Sequence, residues 1–244
     1  MKPVLQRIFR LKREYARLPF FEYLRDDTLP AIERLSFFPC MAPFILSFGD
    51  LNRHVLRLEP TDDPYLKMIN AHSYEDDHHW PWYLEDFAKL GYDDDRQKHT
   101  ETLRYLWSDA TIQNRLLSHR LAHLIWGAAP AVRLAIIEAI EETGNVLFAL
   151  TSPLAAEVER ETGSELRYCG EFHFLLESGH AMNNDHAELA EIVLEPALRA
   201  DALDRVEQVF AWFADWTEEL LRYARQEREG VQAQRERLPA AVAE

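Results

Sequence analysis

The chain has 244 residues, of which 27 are Lys or Arg and 42 are Asp or Glu, so its formal net charge is −15. This charge argues against a nucleic acid and against an anionic membrane as the main partner, because both would repel the protein. The two cysteines, Cys40 and Cys169, provide no disulfide framework, so we expect a cytoplasmic protein. No apolar run reaches the length of a membrane span, so no transmembrane helix is expected.

Apolar residues recur at helical spacing along nearly the whole chain, and no stretch alternates with the period of a strand. We therefore expect an all-α protein, a single-domain helical bundle. An amphipathic helix in residues 1–18 is expected to pack on a bundle domain of residues 19–230, followed by a frayed tail, 231–244. The predicted helices are 4–16, 19–25, 28–57, 63–90, 96–109, 111–125, 129–150, 153–161, 165–183 and 185–230.

The first candidate metal ligands lie in the predicted helix 63–90. Glu75 precedes His78 by three residues and His79 by four, so a helix can bring Glu75 and either histidine to one metal ion. His72, three residues before Glu75, is a further ligand or a hydrogen-bond partner of one. The alternative is a helix end that is rich in acids and solvent-exposed histidines.

Three glutamates, Glu138, Glu141 and Glu142, lie in a predicted helix that is apolar along much of its length. Because a glutamate is rarely fully buried without a partner, at least one of the three is expected to face inward. We choose Glu142, which lies beside the small Gly144, and Glu138 is its substitute one turn earlier. Glu141 is expected to be solvated.

The most specific pattern is His173-x3-Glu177-x2-His180. These positions fall within roughly 60° of arc on one helix, so their side chains form one stripe. The apolar residues 174–176 between them indicate a position near the core, where unpaired polar groups are costly. A shared metal ion would satisfy all three groups, and a network of ion pairs is the alternative. Even if the helix of His173 continued unbroken, His186 would leave it on another face, so His186 is not expected to be a ligand.

A helical bundle that supplies carboxylates and imidazoles from several helices is how di-iron carboxylate sites are built. This ligand mixture suits Fe or Mn better than Zn, which prefers four ligands and often thiolates. The predicted cofactor is two Fe per chain, with Mn as the alternative metal. The predicted ligands are Glu75, His78 or His79, Glu142, His173, Glu177 and His180.

These motifs resemble those of the haem-oxygenase-like di-iron oxidases and oxygenases, which are related in fold to thiaminase-II and pyrroloquinoline-quinone synthase. The resemblance spans roughly residues 20–225 and is carried by Glu142-Thr-Gly-Asn, His173-x3-Glu177-x2-His180 and Glu75-Asp-Asp-His78-His79. Members of the family activate O2 at two irons, so the resemblance implies a haem-oxygenase-like fold and an iron-dependent oxidoreductase. The chain departs from the family at Glu177, where aspartate is common.

The expected function is therefore that of a non-haem di-iron oxidase or oxygenase that oxidises a small, largely apolar organic substrate. Aromatic residues around the predicted ligands, such as Trp80, Trp82 and Phe172, favour an apolar substrate pocket. The expected partners are this substrate, O2, an external electron donor and a second copy of the chain in a homodimer, with no nucleic acid or membrane. The alternative is a non-catalytic binding or regulatory protein of the same fold, without metal.

Overall fold

The structure, a computed structural model, describes residues 1–92, 99–176 and 185–237. About 80% of the chain is helical, and these ranges contain no strand. The prediction of an all-α protein is confirmed. The described helices are α1 (Lys2–Tyr15), α2 (Pro19–Arg25), α3 (Ala31–Arg34), α4 (Ala42–Leu51), α5 (Pro64–Asp76), α6 (Trp80–Lys89), α7 (His99–Leu106), α8 (Ile112–Ile125), α9 (Pro130–Thr162), α10 (171–176), α11 (Asp185–Glu191) and α12 (Pro196–Arg237).

Several helix boundaries differ from the predicted ones. The predicted helix 28–57 is divided into α3, a 3-10 turn, α4 and a π turn, and proline occurs at the start of two of these pieces. The predicted helix 63–90 is interrupted at residues 77–79. By contrast, α9 continues through Pro153 as one helix of 33 residues. The helix α12 extends to Arg237, and residues 238–244 lie outside the described part of the chain.

The bundle is organised around α9 and α12, which pack against each other in its centre. The helices α1, α2, α3 and α5 contact α9. Of these, α1 and α2 also contact α12, and so does α8. Apolar residues bury α9 along most of its length, because neighbouring helices cover several of its faces. Any charged side chain on α9 must therefore meet a polar partner from a neighbouring helix.

One stretch, Ala31–Leu56, is long and apolar enough to cross a membrane by length and composition alone. Of its most apolar window, 56% is buried inside the fold. Burial against other helices of the same chain is typical of a core segment of a water-soluble protein, so this stretch is weak evidence for a membrane span.

The segment that leads into α10 is held by one buried carboxylate. Asp86 on α6 is fully buried and accepts hydrogen bonds from the backbone N–H groups of Arg167, Tyr168 and Cys169 at 2.5, 2.7 and 3.0 Å. Burial raises the pKa of Asp86, and these backbone hydrogen bonds oppose that rise. At Gly170, a Cβ atom would lie 2.0 Å from the carbonyl oxygen of Leu166, so only glycine fits this turn. The start of α10 is thereby fixed relative to α6.

We expect Asp86→Ala to lower the free energy of unfolding by roughly 3 kcal/mol, because it leaves buried N–H groups without an acceptor. Urea denaturation followed by circular dichroism measures the change. Glu85→Ala, at the exposed neighbouring position on α6, serves as the control and should change stability by less than about 0.5 kcal/mol. Equal stability of Asp86→Ala and the wild type would show that this carboxylate does not stabilise the fold.

Candidate metal centre

Ionisable side chains from five elements meet near the middle of α9. They are His72 and Asp76 on α5, His79 in the turn after it, Glu138, Glu141 and Glu142 on α9, His173 on α10 and His186 on α11. Glu138 and Glu142, four residues apart, lie on one face of α9 and Glu141 lies on another, which divides these residues into separate groups.

The first group, the α5–α9 cluster, consists of His72, Asp76 and Glu141. His72 Nε2 lies 2.9 Å from Asp76 Oδ2 and 3.4 Å from Glu141 Oε1. One ligand atom from each residue lies within 4.8 Å of the other two, which is close enough for a single metal ion to contact all three. Two carboxylates and one imidazole form a ligand set that suits iron or manganese.

The electrostatics of the α5–α9 cluster favour a cation. Burial lowers the pKa of His72, but the negative charges of Asp76 and Glu141 outweigh it and hold that pKa well above its ordinary value. Asp76 is almost fully buried, and its Oδ1 atom accepts no hydrogen bond from any residue that the structure describes. A buried carboxylate oxygen in this condition is costly unless a cation or a donor reaches it.

The second group is the imidazole pair, His79 and His173, whose Nδ1 and Nε2 atoms, respectively, lie 3.2 Å apart. His173 Nδ1 lies 2.8 Å from the carbonyl oxygen of Tyr168, and since a carbonyl can only accept, this nitrogen carries the proton. In the neutral ring, the Nε2 lone pair then accepts a hydrogen bond from His79 Nδ1, and a metal ion that used this lone pair would replace that hydrogen bond. Trp82 stacks on His79 at a centroid distance of 4.6 Å, so the ring orientations are fixed by packing as well.

Two members of the α5–α9 cluster and both members of the imidazole pair line one cavity, here called the aromatic cavity, while His72 borders another cavity. The polar side of the aromatic cavity is formed by Asp76, Glu141, His79 and His173, and its other lining residues are mostly apolar. They include Phe44, Ile45, Phe48, Trp80, Ile140, Leu147, Phe148, Phe213 and Trp216. The cavity has a volume of about 70 Å³, which is room for roughly five water molecules. As it stands, it therefore accommodates a molecule smaller than benzene.

The third group, the α9–α11 cluster, consists of Glu138, Glu142 and His186 and lies away from the aromatic cavity. His186 Nε2 contacts Glu138 Oε1 directly and lies 3.7 Å from Glu142 Oε1. The hydrogen bond to Glu138 raises the pKa of His186. Lys12 on α1 forms an ion pair with Glu142 Oε2, so this carboxylate already has a cation beside it.

The predicted ligands are distributed over more than one of these groups. His79 and His173 come together, as a shared site requires. Glu75 is exposed and borders a second, more polar cavity of about 280 Å³, together with His72, Glu138 and Glu141. His78 is 57% exposed at its side chain and faces Asp77, which makes His79 the better placed of the two neighbouring histidines.

On α9 the structure places Glu142 beside Lys12 and His186, and it places Glu141, which was expected to be solvated, at the aromatic cavity. The two residues are adjacent in sequence, so their side chains leave the helix about 100° apart. Glu138, the predicted substitute, belongs to the α9–α11 cluster. Glu177 and His180 lie outside the described residues.

Sequence reasoning missed Asp76 and His186. Asp76 follows His72 by four residues and precedes His79 by three, so helical spacing alone could have identified it. His186 was excluded because it would leave a continuous helix on a different face from His173. The structure describes the helix α11 from Asp185 and places His186 beside Glu138.

Comparisons with known proteins add no identification. No protein-family model matches the chain, and no curated protein matches it.

The turn that carries His79 is held by an arginine clamp on Asp77. Asp77 Oδ2 lies 2.7 Å from Arg57 Nη2 and 3.2 Å from Arg53 Nε. Burial alone would raise the pKa of Asp77, but the hydrogen bonds from Arg57, Arg53 and His78 lower it from 3.8 to about 2. The turn also packs closely on α4, because a Cβ atom at Gly49 would lie 2.9 Å from the carbonyl oxygen of Asp77.

The depressed pKa makes the contribution of Asp77 dependent on pH. It is fully present above the unfolded-state pKa and is lost as the pH falls towards 2, for a total of about 2 kcal/mol. Urea denaturation should therefore show the stability difference between wild type and Asp77→Asn shrinking as the pH is lowered from 5. Asp62→Asn, which changes a fully exposed carboxylate, should show no such trend, and a constant difference for Asp77→Asn would contradict the clamp.

Proposed function

We propose that this protein is a non-haem, carboxylate-bound di-iron oxidase or oxygenase that uses O2 to oxidise a small, largely apolar organic substrate. Manganese is the alternative metal. The observation that carries the proposal is the position of the α5–α9 cluster: its three potential ligands lie close together, and two of them, Asp76 and Glu141, line a cavity that two buried imidazoles also line. The haem-oxygenase-like fold is part of the proposal and is supported by the all-α architecture and by the motifs in the sequence.

The side chains present fit a metal of this kind. His72, Asp76 and Glu141 would hold one ion, and the Oδ1 atom of Asp76 offers a buried acceptor to it. His79 and His173 would contribute to a second ion at the other side of the cavity, together with the sequence-predicted Glu177 and His180. When bound, iron supplies the capacity to reduce O2, which amino-acid side chains alone do not have.

Contacts within the protein fix the orientation of the imidazole pair, His79 and His173, in the absence of a metal ion. The carbonyl oxygen of Tyr168 fixes the proton of His173 on Nδ1, and the indole of Trp82 fixes the plane of His79. Asp86 holds the backbone N–H of Tyr168, so the orientation of His173 is linked to α6 through two successive hydrogen bonds. Such supporting contacts reduce the reorganisation that metal binding needs.

The aromatic cavity would bind the substrate and exclude water. Phe44, Phe148 and Phe213 line it, so a small alkyl group would be favoured over a charged group. Trp216, in the same wall, has a buried indole N–H that donates to no acceptor in the described part of the chain. A substrate carbonyl or carboxylate oxygen would provide the acceptor that this donor lacks.

The decisive experiment is anaerobic titration of the protein with Fe(II), with bound iron counted by elemental analysis. We expect two Fe(II) per wild-type chain. Glu141→Gln should weaken binding of at least one ion by about tenfold or more, since removing a direct ligand costs at least as much as removing a partner of one. Glu142→Gln is the matched control, because it changes the adjacent glutamate on the face away from the cavity, and it should retain both ions.

The outcomes separate the proposal from its alternative. If the wild type binds neither Fe(II) nor Mn(II), the alternative of a non-catalytic binding or regulatory protein is favoured. The imidazole–carboxylate contacts are then ion pairs only. If Glu142→Gln loses iron and Glu141→Gln does not, the metal lies on the other face of α9. If iron binds but the ferrous protein consumes no O2, the oxidase assignment fails while the metal centre stands.

A further inference from the structure

We propose that Glu138, Glu142 and His186 form a further cation site, separate from the metal centre, and that the ammonium group of Lys12 occupies this site in place of a divalent metal ion. The site belongs to the α9–α11 cluster and uses none of the ligands assigned to the metal centre. It therefore stands or falls independently of the proposed function.

The cluster has the composition and spacing of a metal site. One oxygen from each glutamate and one nitrogen of His186 lie within 4.8 Å of one another. Both glutamates are at least nine-tenths buried, so their charges are poorly screened by water. Phe9 packs edge-on against His186 at a centroid distance of 5.0 Å and holds the ring in place.

A cation already lies beside one of these carboxylates, Glu142. Lys12 extends from α1 and forms an ion pair with Glu142, whose side chain is 2% exposed, while that of Lys12 is 32% exposed. In the described part of the chain, the cationic partners of these two carboxylates are Lys12 and His186, so without Lys12 they would share His186. One divalent ion would neutralise both carboxylates, so the lysine and a metal ion compete for the same place.

Solvent reaches this site by its own route. A cavity of about 530 Å³ is lined by Phe9, Lys12, Glu142 and His186 and lies on the face of α9 away from the aromatic cavity. A metal ion could enter there without passing the proposed metal centre. Lys12 thus gives the chain selectivity, because it keeps a ready ligand set closed to metal while it joins α1 to α9.

The test is the stoichiometry of Mn(II) binding, measured by the electron paramagnetic resonance signal of free Mn(II) and by elemental analysis. Lys12→Gln removes the charge but keeps a polar side chain, and it should bind one more Mn(II) per chain than the wild type. Lys12→Arg keeps a cation and should match the wild type. Arg13→Gln, which removes an exposed cation from the same helix turn, should also match it.

A double variant locates the additional ion. Lys12→Gln combined with Glu142→Gln should lose the additional Mn(II), because a ligand is then missing. If Lys12→Gln is poorly folded without metal, Mn(II) should raise its melting temperature more than that of the wild type. Equal Mn(II) stoichiometry in Lys12→Gln and wild type overturns the inference, as does an unfolded Lys12→Gln that Mn(II) fails to recover.

The two proposals fail in different ways. A wild type without metal and a Lys12→Gln chain with one Mn(II) would refute the metal centre and support the lysine-occupied site. A wild type and a Lys12→Gln chain that both bind two ions would support the metal centre and refute the lysine-occupied site.

Discussion

The arrangement of side chains at the centre of this protein depends on the free-energy cost of burying charged glutamates on α9. This helix is covered along most of its length, yet it carries Glu138, Glu141 and Glu142 within little more than one turn. A buried carboxylate without a partner costs several kcal/mol, so the helices packed on α9 have to supply compensating groups. They do so with His72 from α5, Lys12 from α1 and His186 from α11. The helices that pack on α9 therefore also supply the groups that compensate its buried charges.

The groups that compensate these charges differ in what they allow chemically. Glu141 faces the imidazole of His72, whose neutral form has a lone pair that could bind the same metal ion as the carboxylate under the proposed function. Glu142 faces an ammonium group, which has no lone pair and can only occupy the place of a cation. One face of α9 is thus suited to hold a metal at the aromatic cavity, and the other is suited to resist one. The difference arises from two residues that are adjacent in sequence.

The imidazole pair depends on contacts that begin far from it. Asp86 fixes the backbone of residues 167–169, and within that segment the carbonyl oxygen of Tyr168 fixes the ring of His173. Asp77 and its two arginines hold the turn that ends in His79. Each histidine is therefore placed through a buried carboxylate, His173 by Asp86 on α6 and His79 by Asp77 in its own turn, and this gives the pair a defined geometry.

The sequence by itself determined that the protein is helical, because apolar residues recur with a period of 3.6, and that glutamates of α9 are buried, because their neighbours are apolar. It also proposed His173 and either His78 or His79, and the structure brings His173 and His79 together. Only the tertiary structure showed that Glu141 and Asp76 both line the aromatic cavity. It also showed that Glu142 contacts both Lys12 and His186. Helical periodicity sets the angles between side chains on one helix. The rotation of that helix in the bundle, and the partners it meets there, depend on contacts with residues distant in sequence.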